Sequence, residues 1–238
     1  MTNSHVLMKL ENVHRTFQVG EIAVHVLRGI DLDIFAGELL IIQGESGSGK
    51  STLLNMIGGI DQPSQGTISF EGQDISKLGD RRLTAFRRDQ VGFVFQFYNL
   101  VPTLSALENV ATATEIAENP MDPAEALDLV GLSDRINHFP AQLSGGEQQR
   151  VAMARAIAKH PKLMLCDEPT GALDHENTIM ILELLQKINH ETGTTMVMIT
   201  HAQAMTRMAN RIAVIADGKI GKVSHNAAPV LAKELIWS

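Results

Sequence analysis

A glycine-rich segment at residues 44–51 limits the possible folds of this chain more than any other feature. Its sequence, Gly-Glu-Ser-Gly-Ser-Gly-Lys-Ser, follows the apolar run 39–42 and precedes a helical pattern at residues 52–57. A strand, a loop of the pattern G-x-x-x-x-G-K-[ST] and a helix in this order form a phosphate-binding unit. Glycines let successive N–H groups turn toward one anion, and the helix N-terminus adds partial positive charge. The segment predicts phosphate binding; the alternative is a Gly/Ser-rich turn without a ligand.

Two side chains of this loop have predicted roles toward a nucleoside triphosphate. Lys50 can reach the β- and γ-phosphates, and the Ser51 hydroxyl can ligate Mg²⁺. We expect the whole loop to hold the nucleotide, through Gly44, Glu45, Ser46, Gly47, Ser48, Gly49, Lys50, Ser51 and Thr52.

Short apolar runs with polar ends recur later in the chain, at residues 93–95, 163–166, 196–199 and 212–215. Runs of this length are typical of strands that are buried on both faces. Apolar residues with helical spacing lie between them, for example at residues 151–158 and 181–188. Strands that alternate with helices predict an α/β fold with a mainly parallel sheet.

Two parts of the chain depart from this alternation. Residues 6–38 and 66–72 alternate polar and apolar positions, which predicts an antiparallel β subdomain. Residues 97–150 are mostly helical in pattern and contain four prolines, which predicts an inserted α-helical subdomain. The core of this single predicted domain then comprises residues 39–65, 73–96 and 151–222, and a C-terminal tail follows at residues 223–238. Trp237 in that tail is either a packed anchor or part of a frayed end.

The composition excludes several classes of protein. Lys and Arg number 20 against 27 Asp and Glu, and the formal net charge of −7 argues against a broad basic face for nucleic acid. The single cysteine, Cys166, excludes an internal disulfide framework and fits a reducing compartment. No apolar run approaches the ~18–20 residues of a membrane span, and the first residues lack a signal-peptide pattern. We expect a cytoplasmic protein that reaches the inner face of a membrane only through a partner.

Two acids end one of the predicted strands. Asp167 and Glu168 follow the apolar run 163–166, and adjacent side chains point to opposite faces unless the strand end twists. Asp167 therefore suits the Mg²⁺ shell, and Glu168 suits the base that orients or deprotonates an attacking water. A solvated acidic turn is the alternative. We interpret Cys166, in the same strand, as a buried small apolar residue rather than a redox site.

The segment Leu-Ser-Gly-Gly-Glu-Gln-Gln-Arg at residues 143–150 resembles the signature motif of ABC ATPases. The other motifs of that family follow in the family's order. Gln96 resembles the Q-loop glutamine, residues 171–174 (Gly-Ala-Leu-Asp) resemble the D-loop, and His201 resembles the switch histidine. The resemblance implies ATP and Mg²⁺ as cofactors, and a P-loop NTPase (RecA-like) core for the α/β fold.

Four further stretches are similar to one group within that family, at residues 93–96, 99–102, 107–110 and 168–174. This is the LolD/MacB-type group, which acts in lipoprotein release, macrolide export and cell division. ATPases of bacteriocin and antimicrobial-peptide resistance are similar too. The resemblance as a whole covers roughly residues 7–222.

A second anion site is predicted at the start of the helix that follows residue 143. The N–H groups of Ser144, Gly145 and Gly146 and the Ser144 hydroxyl can face an anion, and the same residues also suit an ordinary N-capped helix start. One chain cannot easily bring this site onto its own phosphate loop. The resemblance implies that it completes the site of a second copy, so that a head-to-tail homodimer encloses two ATP molecules.

The resemblance also implies a shared metal and catalytic set. Gln96 would contact Mg²⁺ or water, alongside Ser51 and Asp167 as metal ligands; the alternative is an ordinary loop residue. His201 would sense the γ-phosphate, against the alternative of a structural histidine. The implied catalytic residues are Glu168, His201, Lys50 and Gln96.

Two further residues would bind the nucleotide or the second copy. Phe17 lies where the family places the aromatic residue that stacks on adenine; a core aromatic is the alternative. Asp174 is expected to cap the helix that begins near residue 175, while its loop touches the opposite protomer.

These observations predict the ATP-hydrolysing subunit of an ABC transporter, which drives a permease of the export, lipoprotein-release or mechanotransmission type. A soluble ABC ATPase of translation or DNA repair is the rival prediction. The single signature motif, the lack of sustained heptads and the negative net charge argue against it. A module that binds ATP without hydrolysis is a third reading, against which stand Glu168 and His201. The sequence shows no pocket for a transported substrate.

Overall fold

Two β-sheets and six α-helices form the frame of the computed structural model, which describes residues 5–237. The strands are β1 (Val6–Val19), β2 (Ile22–Phe35), β3 (Leu39–Gln43), β4 (Gln65–Phe70), β5 (Gln73–Asp74), β6 (Val91–Phe95), β7 (Leu163–Asp167), β8 (Thr195–Thr200), β9 (Arg211–Ala216) and β10 (Lys219–His225). The helices are α1 (Lys50–Ile57), α2 (Asp80–Gln90), α3 (Ala106–Thr114), α4 (Pro123–Leu129), α5 (Gly145–Ile157) and α6 (His175–Thr192). Short 3₁₀ helices lie at Ser133–Arg135, Pro140–Gln142, Gln203–Met208 and Ala232–Glu234.

The larger sheet has the strand order β10-β9-β3-β8-β7-β6. The strands from β9 to β6 run parallel, and β10 is antiparallel to β9. Each of the five predicted apolar runs forms one of the parallel strands, so the predicted α/β fold is confirmed. The strands extend past these runs because flanking polar residues, such as Thr195 and Thr200, also pair with a neighbouring strand.

Strand β3 lies between two hydrophobic cores. Side chains alternate along a strand, so Leu39 and Ile41 pack in one cluster with α5 and α6. Leu40 and Ile42 pack in the other cluster, with α1 and the smaller sheet. The strand is fixed from both faces, which fixes the position of the loop that follows its carboxyl end.

The smaller sheet is antiparallel throughout, in the order β2-β1-β4-β5. It confirms the predicted antiparallel part of the fold, whose last two strands lie at Gln65–Phe70 and Gln73–Asp74. Glu71 and Gly72 connect its last two strands with φ angles of 48° and 79°. Two successive residues with positive φ form the tight turn that matches the twist of a hairpin.

The helical part packs α3, α4 and α5 against one face of the larger sheet. The loop before α3 is held by the buried side chain of Asn109. Its oxygen accepts the N–H of Val101 at 2.8 Å, and its nitrogen donates to the carbonyls of Val101, Leu104 and Ser105. A buried amide that makes four hydrogen bonds fixes the path of an otherwise irregular chain.

The C-terminal residues are packed. Trp237 is partly buried and packs against the hydrophobic cluster that contains Leu235. Of the two predicted alternatives, a packed anchor or a frayed end, the structure supports the packed anchor. Within residues 5–237, no helix combines the length and the apolar character that a crossing of the bilayer requires.

Candidate active site

The glycine-rich loop joins the carboxyl end of β3 to α1, as predicted. Gly49 is the N-cap residue of α1, with φ of 103° and no side-chain cap, and Gly47 has φ of 79°. A Cβ at Gly44 would lie 2.3 Å from the carbonyl oxygen of Ile215. Glycine is therefore required at these positions, and the first N–H groups of α1 stay free for an anion.

The polar groups of the loop fit a chain of phosphates. Lys50 Nζ donates to the carbonyls of Gly44 and Glu45, at 2.8 and 2.7 Å, so its charge is held over the loop. The Ser48 hydroxyl is buried and has no hydrogen-bond partner among the described residues. The Glu45 side chain is exposed. A cation, free N–H groups and an unpaired hydroxyl form a cradle for an oxyanion.

A cavity of about 420 Å³ opens above this cradle. It is lined by Val26, Ser46, Gly47, Gly49, Lys50, Ser51, Thr52, Asp167, Glu168 and His201. The structure thus brings six residues of the predicted loop, both acids and the switch histidine into one space. Val26 of β2 was not predicted, since a lone apolar residue in a strand carries no signal for a ligand.

Asp167 lies at the end of β7, beside the first turn of α1. Burial raises the pKa of its carboxyl, while a hydrogen bond from Ser51 and the charge of Lys50 oppose that rise. The carboxylate and the hydroxyl are hard oxygen ligands of the kind that Mg²⁺ prefers. No group of three His, Cys, Asp or Glu side chains suited to a metal occurs in residues 5–237, so Mg²⁺ here needs phosphate oxygens and water besides.

Glu168 follows with a left-handed backbone, at φ of 47°. Because the backbone turns here, the side chains of both acids line the same cavity. The strand end is therefore twisted, and the two side chains do not point to opposite faces of the sheet. His201 Nδ1 lies 3.0 Å from both carboxylate oxygens of Glu168. The side chain of Glu168 is 18% exposed and that of His201 is 74% exposed. The acid is therefore sheltered and oriented, whereas the histidine can move.

Gln96 and Phe17 lie outside the cavity, as do the predicted residues Gly44, Glu45, Ser48 and Asp174. The amide nitrogen of Gln96 lies against Gly171, where a Cβ would approach it to 2.9 Å. The Phe17 ring is 37% exposed on the β1–β2 hairpin, and the guanidinium carbon of Arg15 lies 4.4 Å from its centroid. Phe17 is therefore not a core aromatic, and its exposed ring can receive a planar group.

The signature segment also lies outside the cavity. Ser144 caps α5: its hydroxyl oxygen accepts the N–H of Glu147 at 3.2 Å, and the Glu147 carboxylate accepts the N–H of Ser144 at 2.8 Å. This capping box leaves the N–H groups of Gly145 and Gly146 at the helix end.

Two residues that sequence reasoning missed support the signature glycines. A Cβ at Gly145 would lie 2.9 Å from the Tyr98 hydroxyl, and one at Gly146 would lie 2.1 Å from Asn177 Oδ1. Asn177 also binds Asp174, which caps α6 as predicted: the Asn177 N–H donates to Asp174 Oδ1 at 2.9 Å. The signature and the D-loop of one chain thus form one packed unit.

A protein-family comparison decides what this site is. The family model described as "ABC transporter" matches residues 27–171. The chain belongs to the ABC transporter family. It is an ATP-binding cassette of that family, an ATPase that uses ATP and Mg²⁺.

Similar proteins agree with this assignment. The chain is 48% identical over 219 residues to an uncharacterized ABC transporter ATP-binding protein of Thermotoga maritima, with 90% of this chain and 93% of that protein covered. It is 46% identical to the macrolide export ATP-binding/permease protein MacB of Brucella melitensis, of which it covers 34%. The predicted resemblance to the LolD/MacB-type group is confirmed.

A solved structure has the same fold. The ATP-binding cassette MJ0796, described as a dimer in a post-hydrolysis state bound to ADP and Pi, superposes with a TM-score of 0.86 at 41% identity. The match covers 93% of this chain and 99% of that one. The corresponding relative of Methanocaldococcus jannaschii is described as an uncharacterized ABC transporter ATP-binding protein.

Proposed function

We propose that this ABC cassette works as a head-to-tail homodimer that encloses two Mg-ATP and drives a membrane permease. The observation that carries the proposal is the division of the site within one chain. Lys50, Glu168 and His201 line the cavity, whereas Gly145 and Gly146, whose N–H groups lie at the start of α5, are not part of its lining. A second copy, in the arrangement described for the MJ0796 dimer, is the simplest source of the missing half.

Each residue then has a definite task. Lys50 and the loop N–H groups would hold the phosphates, and Ser51 and Asp167 would hold Mg²⁺, which would supply positive charge to neutralise them. Glu168 accepts a proton from the water whose oxygen attacks the γ-phosphorus, while the bond to the β-γ bridging oxygen breaks. His201 orients Glu168 before the reaction and can turn to the γ-phosphate when the nucleotide is present.

Gln96 and Phe17 act at the borders of the cavity. Gln96 rests on Gly171 at the start of the D-loop, from which its amide can turn toward Mg²⁺ or the attacking water. Phe17 offers an exposed ring to the adenine, with Arg15 covering the opposite face. Asp174 holds the D-loop at the start of α6, where it would meet the partner copy.

The loop after Gln96 is the proposed contact with the permease. Phe97 is 75% exposed and Val101 is 41% exposed, close to the network of Asn109. Large exposed apolar side chains beside a rigidly held loop suit a protein interface. The protein would then lie on the cytoplasmic face of the membrane without binding nucleic acid. In this proposal the permease partner determines the type of transport and the substrate.

A soluble ABC ATPase of translation or DNA repair is the competing function. The similarity to MacB, described as an export ATP-binding/permease protein, favours transport. The net charge of −7 also disfavours a nucleic-acid partner.

Capture of the partner tests the proposal. A tagged Glu168→Gln variant is expected to bind ATP, to lose turnover by about 10²–10³-fold and to accumulate as the closed dimer. Membranes of the native cell would be solubilised with ATP and Mg²⁺, and the purified complex analysed by mass spectrometry. A polytopic membrane protein is the expected partner; ribosomes, nucleic acid or soluble proteins alone would support the rival.

A matched pair of surface variants locates the contact. In the Glu168→Gln background, Phe97→Asp should lose the membrane partner and retain the ATP-dependent dimer. Ile116→Asp changes another exposed apolar residue of the helical part, 60% exposed, and should retain both. Equal capture by the two variants would contradict the proposed docking face.

A further inference from the structure

Residues 226–237 form a segment that is tied to two different elements; we call it the C-terminal segment. Its first tie is to the 3₁₀ helix Gln203–Met208. The carbonyl of Arg207 accepts the Asn226 side-chain nitrogen at 2.8 Å and the Val230 N–H at 3.0 Å. The Asn226 N–H donates to the carbonyl of Asn210 at 2.8 Å. This 3₁₀ helix begins two residues after His201.

The second tie is to α6. The Gln186 side chain donates to the carbonyl of Val230 and accepts the N–H of Ala232, both at 2.8 Å. Both ends of one amide thus bind the backbone of the C-terminal segment. Ala232 and Leu235 are buried beside it in the main hydrophobic cluster. The segment is therefore docked by polar and apolar contacts along the length of α6.

The third contact lies at the start of α6. The rings of Trp237 and His175 meet edge to face, with centroids 5.7 Å apart and an interplanar angle of 89°. The indole nitrogen is enclosed and has no acceptor among residues 5–237, so apolar packing rather than a hydrogen bond holds the ring there. His175 directly follows Asp174, which is the last residue of the D-loop and the N-cap of α6.

We propose that the C-terminal segment positions the D-loop relative to the switch histidine, with Trp237 as the positioning residue. The segment joins α6, which begins directly after Asp174, to the 3₁₀ helix Gln203–Met208, which begins two residues after His201. Any rotation of α6 against the 3₁₀ helix must break the contacts of Gln186, Val230 or Trp237. The segment thereby holds the D-loop ready for the partner copy, and this inference rests on the proposed dimer.

ATP-driven dimerisation is the measurement that tests Trp237. In the Glu168→Gln background, Trp237→Ala should raise the protein concentration at half-dimerisation by about fivefold to tenfold, as seen by sedimentation with Mg-ATP. Trp237→Phe keeps an aromatic ring and should recover most of the loss. Ile236→Ala is the matched control, since Ile236 is the neighbouring residue and is 73% exposed; it should behave as the parent.

A merely structural role would change other quantities. Under the proposal, Trp237→Ala lowers the thermal midpoint through the lost packing of the ring, but leaves the Kd for ATP of the dilute monomer unchanged. In the otherwise native chain it lowers kcat and leaves the KM for ATP unchanged. A parallel loss of monomer ATP affinity would overturn the proposal, as would dimerisation equal to that of Ile236→Ala.

A second variant removes the other ring. His175→Ala should weaken dimerisation as Trp237→Ala does, and the double variant should be no worse than either, because both delete one contact. Additive losses would contradict the inference. If Glu168→Gln with an intact Trp237 fails to dimerise at all, the proposed function falls, and this inference with it; normal dimerisation of every variant overturns this inference alone.

Discussion

Two helix N-termini of this molecule face anions in the proposed dimer, and they are built differently. Helix α1 starts at Gly49 with a left-handed backbone, no side-chain cap and a lysine as its first residue. Helix α5 starts at Ser144 with a complete capping box, and Glu147 lies in its first turn. Hydrogen bonding from the Ser144 N–H holds the pKa of Glu147 below its ordinary value, so that carboxylate stays charged.

This difference indicates which helix N-terminus can bind a nucleotide without the partner copy. The start of α1 combines free N–H groups with a cation, so it can attract phosphate from solution. The start of α5 has one N–H satisfied by Ser144 and a nearby negative charge, so it is the weaker anion site. We infer that α1 supplies the affinity for ATP, and that α5 contributes only once a phosphate is already held by the partner.

Removal of the cation at α1 should have the largest effect. Lys50→Ala should weaken ATP binding to the dilute monomer by about 10–100-fold, because a charge-assisted contact to phosphate is lost. Titration of the monomer with ATP measures this, and Lys77→Ala at another site serves as a charge-matched control. Unchanged affinity would contradict the assignment of the loop and remove the contrast between the two helix ends.

A methyl group at the start of α5 should weaken dimerisation without weakening ATP binding by the monomer. Gly146→Ala places a Cβ 2.1 Å from Asn177 Oδ1, and such overpacking should weaken the ATP-dependent dimer by about 10–100-fold. The monomer's affinity for ATP should not change. Gly145→Ala, which meets the movable Tyr98 hydroxyl, should lose less and recover with Tyr98→Phe. Loss of monomer ATP affinity in Gly146→Ala would show that the two ends are not independent.

Variants of Ser144 separate its two roles. Ser144→Ala removes the cap and should lower the free energy of unfolding by about 1 kcal/mol, measured by denaturant titration. Ser144→Asp restores the cap and should restore that stability, but its charge should weaken ATP-dependent dimerisation several-fold, since it repels the partner's phosphate. Normal dimerisation of Ser144→Asp would show that Ser144 is a helix cap only.

The sequence predicts the N-termini of α1 and α5 better than it predicts the long-range side-chain contacts that support the signature and the D-loop. The loop at 44–51 and the apolar runs are local patterns, so the parallel strands and the anion cradle could be derived from them. The contacts of Asn177 with Gly146 and of Trp237 with His175 join positions that are far apart in the chain. Such pairs leave no local pattern, because the residue types are ordinary for a helix start and a terminus. The site roles of Gln96 and Phe17 stay predictions.

The smallest effect is expected at Cys166, which lies on β7. Burial, together with the charge of Asp167, raises the pKa of this thiol to about 12, so the reactive thiolate is nearly absent at pH 8. A disulfide exchange reagent should therefore leave the folded protein unlabelled, with or without Mg-ATP, and label it after denaturation. Absence of labelling under both conditions would indicate that β7 stays packed when Mg-ATP binds. Labelling that begins only when Mg-ATP is added would instead place the conformational change within the sheet itself.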